Sequence, residues 1–237
     1  DGKEDVDNPG NTGSDENIED TEKPENTGSD DNKEDSTESE VPGGVVEEIF
    51  VAPEIKVSYR THIQSFGWEG VVNDIKTWKS NGTMSGTSGK AKRLEGINIV
   101  VDSADSKVDL DLGIQYTTHC QSYGWLPLSA NGEMNGTEGE AKRLEAIMIK
   151  LTGSDAKYYD VYYRVHAQTY GWLGWASNGA PAGTAGYAKR LEGIQIVVVK
   201  KGESFNQKME NITSGRTDAF VAQAGDSPIV NYPATSN

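Results

Sequence analysis

One pattern occurs three times in this chain of 237 residues, and that repetition limits what the chain can fold into more than any other feature. The phrase Thr-His-Ile-Gln-Ser-Phe-Gly-Trp at 61–68 returns as Thr-His-Cys-Gln-Ser-Tyr-Gly-Trp at 118–125 and Val-His-Ala-Gln-Thr-Tyr-Gly-Trp at 165–172. A second phrase follows each copy: AKRLEGINIVV at 91–101, AKRLEAIMIKL at 141–151 and AKRLEGIQIVV at 188–198. Between them lies an Asn-Gly, at Asn81-Gly82, Asn131-Gly132 and Asn178-Gly179. Glu145 to Glu192 gives a period of 47 residues. A unit of that size cannot bury its apolar face alone, whereas three can share one core.

Within each copy the periodicity is that of a strand. Val57, Tyr59, Thr61 and Ile63 alternate with Ser58, Arg60, His62 and Gln64, so one phase is apolar and the other polar. A turn at Gly67, Gly124 or Gly171 delivers a tryptophan. A short strand then ends at the Asn-Gly, whose tolerance of positive φ suits a tight hairpin. After a Gly-rich loop comes a long strand, read with Arg93, Glu95, Ile97, Ile99 and Val101 on one face. Repeats are expected at about 57–102, 114–152 and 161–199 within a domain over 45–200. Trp68 to Asn81 spans 13 positions against 6 in the other copies, so repeat one carries a surface insertion. The apolar lead-in at 45–55 is expected to be a first strand or to pack against repeat one.

The ends differ from this body. Residues 1–44 hold 16 of the 37 acidic residues and 3 of the 22 basic ones, with no aromatic residue. They read as a disordered acidic linker that cannot bury enough surface to order itself. The remainder has 21 acids and 19 bases, a net charge of −2, which gives no basic face for nucleic acid. No apolar run approaches the ~18 residues of a membrane span. Residues 201–237 lose the period and are expected to be a C-terminal extension or the start of another domain.

The expected fold is all-β, a closed pseudo-threefold domain of three repeats. The long strands favour a β-prism-like arrangement, with a β-trefoil-like one as the alternative.

Several residues are candidates for chemistry. The three histidines of the protein, His62, His119 and His166, stand at equivalent positions, with Gln64, Gln121 and Gln168 two residues on. A shared three-His metal site is possible in principle. Strand alternation instead places the rings on three separate outer faces, so no metal and no cofactor is expected. Trp68, Trp125 and Trp172 read as packing residues that seal each repeat. Trp78 and Trp175, replaced by Leu128 in repeat two, are the surface-aromatic candidates. Arg93/Glu95, Arg143/Glu145 and Arg190/Glu192 read as partly buried ion pairs. Cys120, the single cysteine, aligns with Ile63 and Ala167 and reads as a buried structural thiol. No catalytic set is present: no nucleophile–His–Asp trio, no Cys–His pair, no HExxH, no phosphate-cradling loop.

The combination Tyr-x-x-His-x-Gln-x-x-Gly-Trp, the Asn-Gly-x-x-x-Gly-Thr-x-Gly loop and Arg-Leu-Glu-[Gly/Ala]-Ile-x-Ile resembles the ChW repeat, the clostridial hydrophobic repeat with a tryptophan. Three copies cover about 57–199. The resemblance implies a secreted or cell-surface bacterial protein and a non-catalytic role. Its partner would be cell-wall or other polysaccharide, or alternatively another extracellular protein in an assembly. Ligand contact is expected at Trp78, Trp175, the three histidines and the three glutamines, by a monomer that does not insert into membranes.

Overall fold

The computed structural model describes residues 50–105, 107–203, 205 and 217–225; the expected acidic linker at 1–44 lies outside them. Among the described residues the chain forms sixteen strands and two short 3-10 turns, and no α-helix. In repeat one, β1 (Ile55–Ile63) is followed by β2 (Gly67–Trp68), a 3-10 turn (Ile75–Thr77), β3 (Lys79–Ser80), β4 (Ser85–Gly86) and β5 (Leu94–Ser103). Repeat two supplies β6 (Gly113–Cys120), β7 (Gly124–Trp125), β8 (Ser129–Ala130), β9 (Asn135–Gly136) and β10 (Leu144–Thr152). Repeat three supplies a 3-10 turn (Ser154–Tyr158), β11 (Tyr159–Ala167), β12 (Gly171–Trp172), β13 (Ala176–Ser177), β14 (Ala182–Ala185) and β15 (Leu191–Lys200), with β16 (Phe220–Ala222) beyond it.

The all-β, pseudo-threefold arrangement expected from the repeats is present as three sheets. Each sheet is built on one repeat's two long strands paired antiparallel: β1 with β5, β6 with β10, β11 with β15. The inner phase is the apolar one. Val57, Tyr59 and Ile63 with Leu94, Ile97 and Ile99, and their counterparts from the other repeats, make one shared core. Full burial of each Ile, Leu or Val side chain contributes about 1.5–3 kcal/mol, so a single repeat could not hold its shape in isolation.

Closure comes from exchange. The Asn-Gly has positive φ at both residues (Asn81 44°, Gly82 81°), and Thr83 N–H bonds Ser80 C=O. This is the expected tight turn. It does not close a hairpin within its own sheet, however. It carries the chain from its own sheet into the next, where β4 pairs with β15, β9 with β5 and β14 with β10. Sequence reading missed this because a two-residue turn looks the same whichever strand follows it. The glycine opening the Gly-Thr-x-Gly loop is fixed by that exchange. At Gly86 (φ 110°) a Cβ would run into the Glu192 carbonyl, and at Gly136 (φ 121°) into the Glu95 carbonyl. Buried tyrosines lock the same junctions. Tyr59, Tyr116 and Tyr163 hydroxyls accept from the Ile196, Ile99 and Ile149 N–H groups of the neighbouring repeat, and donate to Thr83, Glu133 and Ala180 C=O.

The lead-in does more than was expected of it. Residues 50–54 are not strand; Glu54 C=O accepts from Ala104 N–H directly after β5 at 2.8 Å. The segment also packs against repeat three, where Phe50 meets Tyr158 at 4.8 Å and Tyr159 OH donates to Pro53 C=O at 2.9 Å. Of the C-terminal extension, β16 adds in parallel to β14 and sinks Val221 into the core.

Candidate functional site

The outer face of each sheet carries the same cluster, and a bulge creates it. His62 pairs with Gly96 and Ile63 with Leu94, so Glu95 is an extra residue in the ladder. The bulge turns Glu95 and Gly96 together to the outer face, while Ile97 and Ile99 face the core. Glu95 therefore does not share a face with the isoleucines, as strict alternation requires; the inserted residue resets the phase.

The bulged carboxylate is the hub of the cluster. Glu95 Oε1 accepts from Arg93 Nε and Nη2, both at 2.7 Å, and Oε2 lies 2.9 Å from His62 Nδ1. Glu145 makes the same contacts with Arg143 and with His119 at 3.0 Å; Glu192 makes them with Arg190 and with His166 at 3.2 Å. The partly buried ion pair read from sequence is present, with histidine as a third member. At Glu145, burial by itself raises the carboxyl pKa, but the bonds from His119 and Arg143 outweigh it and hold the group below its ordinary value. At His166 burial lowers the imidazole pKa, opposed by Glu192. A carboxylate at Nδ1 favours the tautomer with the proton there, leaving Nε2 as an acceptor. The three rings belong to three different sheets, each tied to its own glutamate, and do not converge.

The Gly-Trp tryptophans are packing residues, as expected, but they pack on the outer face of each sheet and not in the shared central core, with Trp172 only 7% exposed. Trp68, Trp125 and Trp172 lie edge-on to the histidine rings, at centroid distances of 5.3, 5.6 and 5.6 Å. Trp68 also covers Gly96, where a Cβ would meet its ring at 3.2 Å, whereas a Cβ at the equivalent Gly193 would meet Met84 at 3.4 Å. Gln64, Gln121 and Gln168 sit just past the strand ends, half-buried, with their N–H groups bonded to Arg93, Arg143 and Arg190 C=O. They belong to the turn, not to the outer strand phase read from the alternation.

Trp78 and Trp175 differ most from their expected role as open aromatic platforms. Trp78 is 8% exposed, with Nε1–H bonded to Val71 C=O in the repeat-one insertion. Trp175 is half-buried, and Phe205 meets it edge-on at 4.9 Å. Each serves a buried arginine instead. Arg60 stands over Trp68 and Trp78 at 4.3 and 5.2 Å, and Arg164 over Trp172 and Trp175 at 4.8 and 5.0 Å. Their Nε atoms donate to Asn98 Oδ1 and Gln195 Oε1. In repeat two all three positions change together, to Thr117, Leu128 and Met148.

The aromatic rings that do reach solvent were not among the residues singled out from sequence. Phe66 and Tyr123 are 58% and 54% exposed at the tips of the turns after β1 and β6, and the equivalent Tyr170 is half-buried. Lys92 and Lys142 hold the first two tips by donating to Ser65 and Ser122 Oγ, both at 3.3 Å. The available signal was an aromatic residue four positions after each histidine, directly before the Gly-Trp.

Cys120 is buried, and burial pushes its thiol pKa up, as befits a structural residue. No helix of the described residues is long and apolar enough to cross a membrane. No curated protein and no solved structure is significantly similar to this chain. One family does match, ChW (Clostridial hydrophobic W), over residues 62–102, 119–153 and 166–200, each stretch opening on the outward histidine and ending with its repeat's second long strand. The chain belongs to the ChW family and carries three tandem copies of its repeat.

Proposed function

We propose that this is a non-catalytic binding module of a secreted or cell-surface bacterial protein, holding that protein to cell-wall or other polysaccharide. The observation that carries this reading is the set of three turn tips. The first two present an exposed aromatic ring beside a Lys, Phe66 with Lys90 and Tyr123 with Lys142, and the third pairs Tyr170 with Tyr187; such rings suit stacking against the C–H face of a sugar ring. Three weak sites on one body gain affinity through avidity when a polymer engages more than one. The non-catalytic reading is supported by the chemistry of the repeated cluster. Every histidine is tied to a glutamate already bound by arginine, and the single thiol is buried.

Pull-down of the full chain on insoluble cell wall and on plant polysaccharides tests this. Retention is expected, and a Phe66→Ala/Tyr123→Ala variant, which changes only the two exposed rings, should lose most of it while keeping its melting temperature within a few degrees. No retention on any polysaccharide would sink the reading. A second reading, docking to another extracellular protein, is favoured by the repeat-one insertion, which exposes Val71, Val72 and Ile75. Co-purification of one secreted partner, undisturbed by added saccharide, would favour it over the first.

A further inference from the structure

The three tips differ in charge, and the difference points to a ligand class. At the first, Lys90 Nζ lies over the Phe66 ring, 5.4 Å from its centroid, and Lys92 Nζ bonds Ser65 Oγ. At the second, the position of Lys90 holds Glu140, which accepts from Tyr123 OH at 2.5 Å and pushes that phenol's pKa up. At the third it holds Tyr187, whose ring meets Tyr170 edge-on at 6.4 Å. Two cations therefore flank the open ring of repeat one, a lysine and a carboxylate flank that of repeat two, and repeat three pairs its ring with a second aromatic.

The backbone of these tips is held in a costly shape. Ser65 and Ala91 both have positive φ, 68° and 53°, and so do Ser122/Ala141 and Thr169/Ala188. Glycine would relieve this strain at no steric cost, yet every one of these positions carries a side chain. The strain sits at exposed residues, where core packing does not account for it; the Gln64 N–H bond to Arg93 C=O at 3.0 Å ties the lysine-bearing segment to the aromatic turn.

We propose that the Phe66 tip is a subsite for an acidic sugar, a ring carrying a carboxylate or phosphate, with Phe66 stacking on the ring and Lys90 and Lys92 contacting the anion. This rests on the polysaccharide-binding reading and narrows it. A flat apolar face with cations at its edge matches a sugar ring with one charged substituent. Free phosphate would leave the aromatic face unused, and a neutral sugar would leave two ammonium groups unused.

The test is affinity electrophoresis of the full chain at about 0.15 M salt, where charges beyond roughly 8 Å are screened. Two matched pairs of polymers separate the two anion sources: polygalacturonate with its methyl ester, and phosphomannan with unphosphorylated mannan. Retardation is expected to be about fivefold stronger on the charged member of at least one pair. Lys90→Gln/Lys92→Gln should abolish that difference, Phe66→Ala should weaken both members, and Lys142→Gln at the second tip should leave the difference intact. Equal retardation on charged and neutral members overturns this inference and leaves the polysaccharide reading standing. Equal or stronger retardation on polyglutamate also overturns it, in favour of an acidic peptide. Absence of binding to every polysaccharide overturns both.

Discussion

Repeats one and three differ from repeat two in one connected set of residues. The His–Glu–Arg cluster and the edge-on tryptophan are present in all three. The arginine over two tryptophans, with its amide partner, is present in two and replaced as a unit by Thr117, Leu128 and Met148 in the third. The sheet forms in either case. The His–Glu–Arg–Trp cluster is thus tied to the bulge that every sheet has, while the Arg–Trp stack is a separable filling of the same outer face. What covers that stack is different each time, the 69–77 insertion in repeat one and Phe205 in repeat three. Repeat two has neither cover, and its Thr117 hydroxyl simply donates to Leu126 C=O at 2.6 Å.

If the glutamate cluster is common scaffold, removing its carboxylate should hurt every repeat alike. Glu95→Gln, Glu145→Gln and Glu192→Gln are each expected to cost about 2–3 kcal/mol, because the buried carboxylate's bonds to a partly exposed arginine and to the histidine are both disrupted. For a domain of this size that is a fall in melting temperature of roughly 5–10 °C. The sign with pH follows from the Glu145 shift. Its folded-state pKa is lowered, so its stabilisation is present above the unfolded value near 4.3 and lost as pH falls through the folded one. The gap between the parent protein and Glu145→Gln should therefore close in acid. A cost for Glu145→Gln far below that of the other two would break the equivalence drawn here.

The Arg–Trp stack makes the opposite prediction, that its members matter only together. Arg60→Thr alone should cost about 2 kcal/mol, since it leaves Asn98 Oδ1 without its donor and uncovers two tryptophan faces. Adding Trp78→Leu and Asn98→Met completes the conversion to the repeat-two set. The triple variant should be more stable than the sum of its single changes by at least about 1 kcal/mol. Additive costs in chemical denaturation would show that the three positions are independent, and the joint replacement in repeat two would then need another reason.

Smaller still is the effect of the histidines. Burial lowers the pKa of His166, so the unfolded chain takes up its proton first as pH falls. Stability from the neutral ring is present above the unfolded value near 6.5 and declines below it. Thermal scans between pH 7.5 and 5 should show a downward slope that His166→Gln makes shallower; an unchanged slope would remove the histidine from the account.

The sequence showed some of this directly and hid the rest for definite reasons. The alternation of Val57, Tyr59 and Ile63 against Arg60 and His62 is local, and the inner and outer faces follow from it. So does the positive φ of Asn81-Gly82, which depends on residue type alone. The bulge at Glu95 was not legible, because an extra residue in a ladder shows only against the partner strand. Nor was the burial of Trp78, which depends on where an insertion folds back, or that of Trp175, which depends on Phe205, thirty residues away. Exposure of Phe66 was hidden by the converse. An aromatic before a Gly-Trp reads as apolar, and only the positive φ of Ser65 and Gly67 lifts it off the sheet.

The smallest expected effect on stability is also the one that separates scaffold from surface most cleanly. Phe66 and Tyr123 are more than half exposed, so Phe66→Ala and Tyr123→Ala should each change stability by less than about 0.5 kcal/mol. Trp78→Ala, by contrast, removes a buried ring from over Arg60 and should cost about 3 kcal/mol or more. The two aromatic sets thus have opposite signatures: one is silent in a thermal melt and read in a binding assay, the other the reverse. A thermal melt in which Phe66→Ala is as damaging as Trp78→Ala would mean that the tip is packed in solution, and the ring would then be unavailable to a ligand. Near-identical melts for Phe66→Ala and the parent protein, with polysaccharide retention lost, would place recognition at the turn and leave the two tryptophans as walls around the arginine.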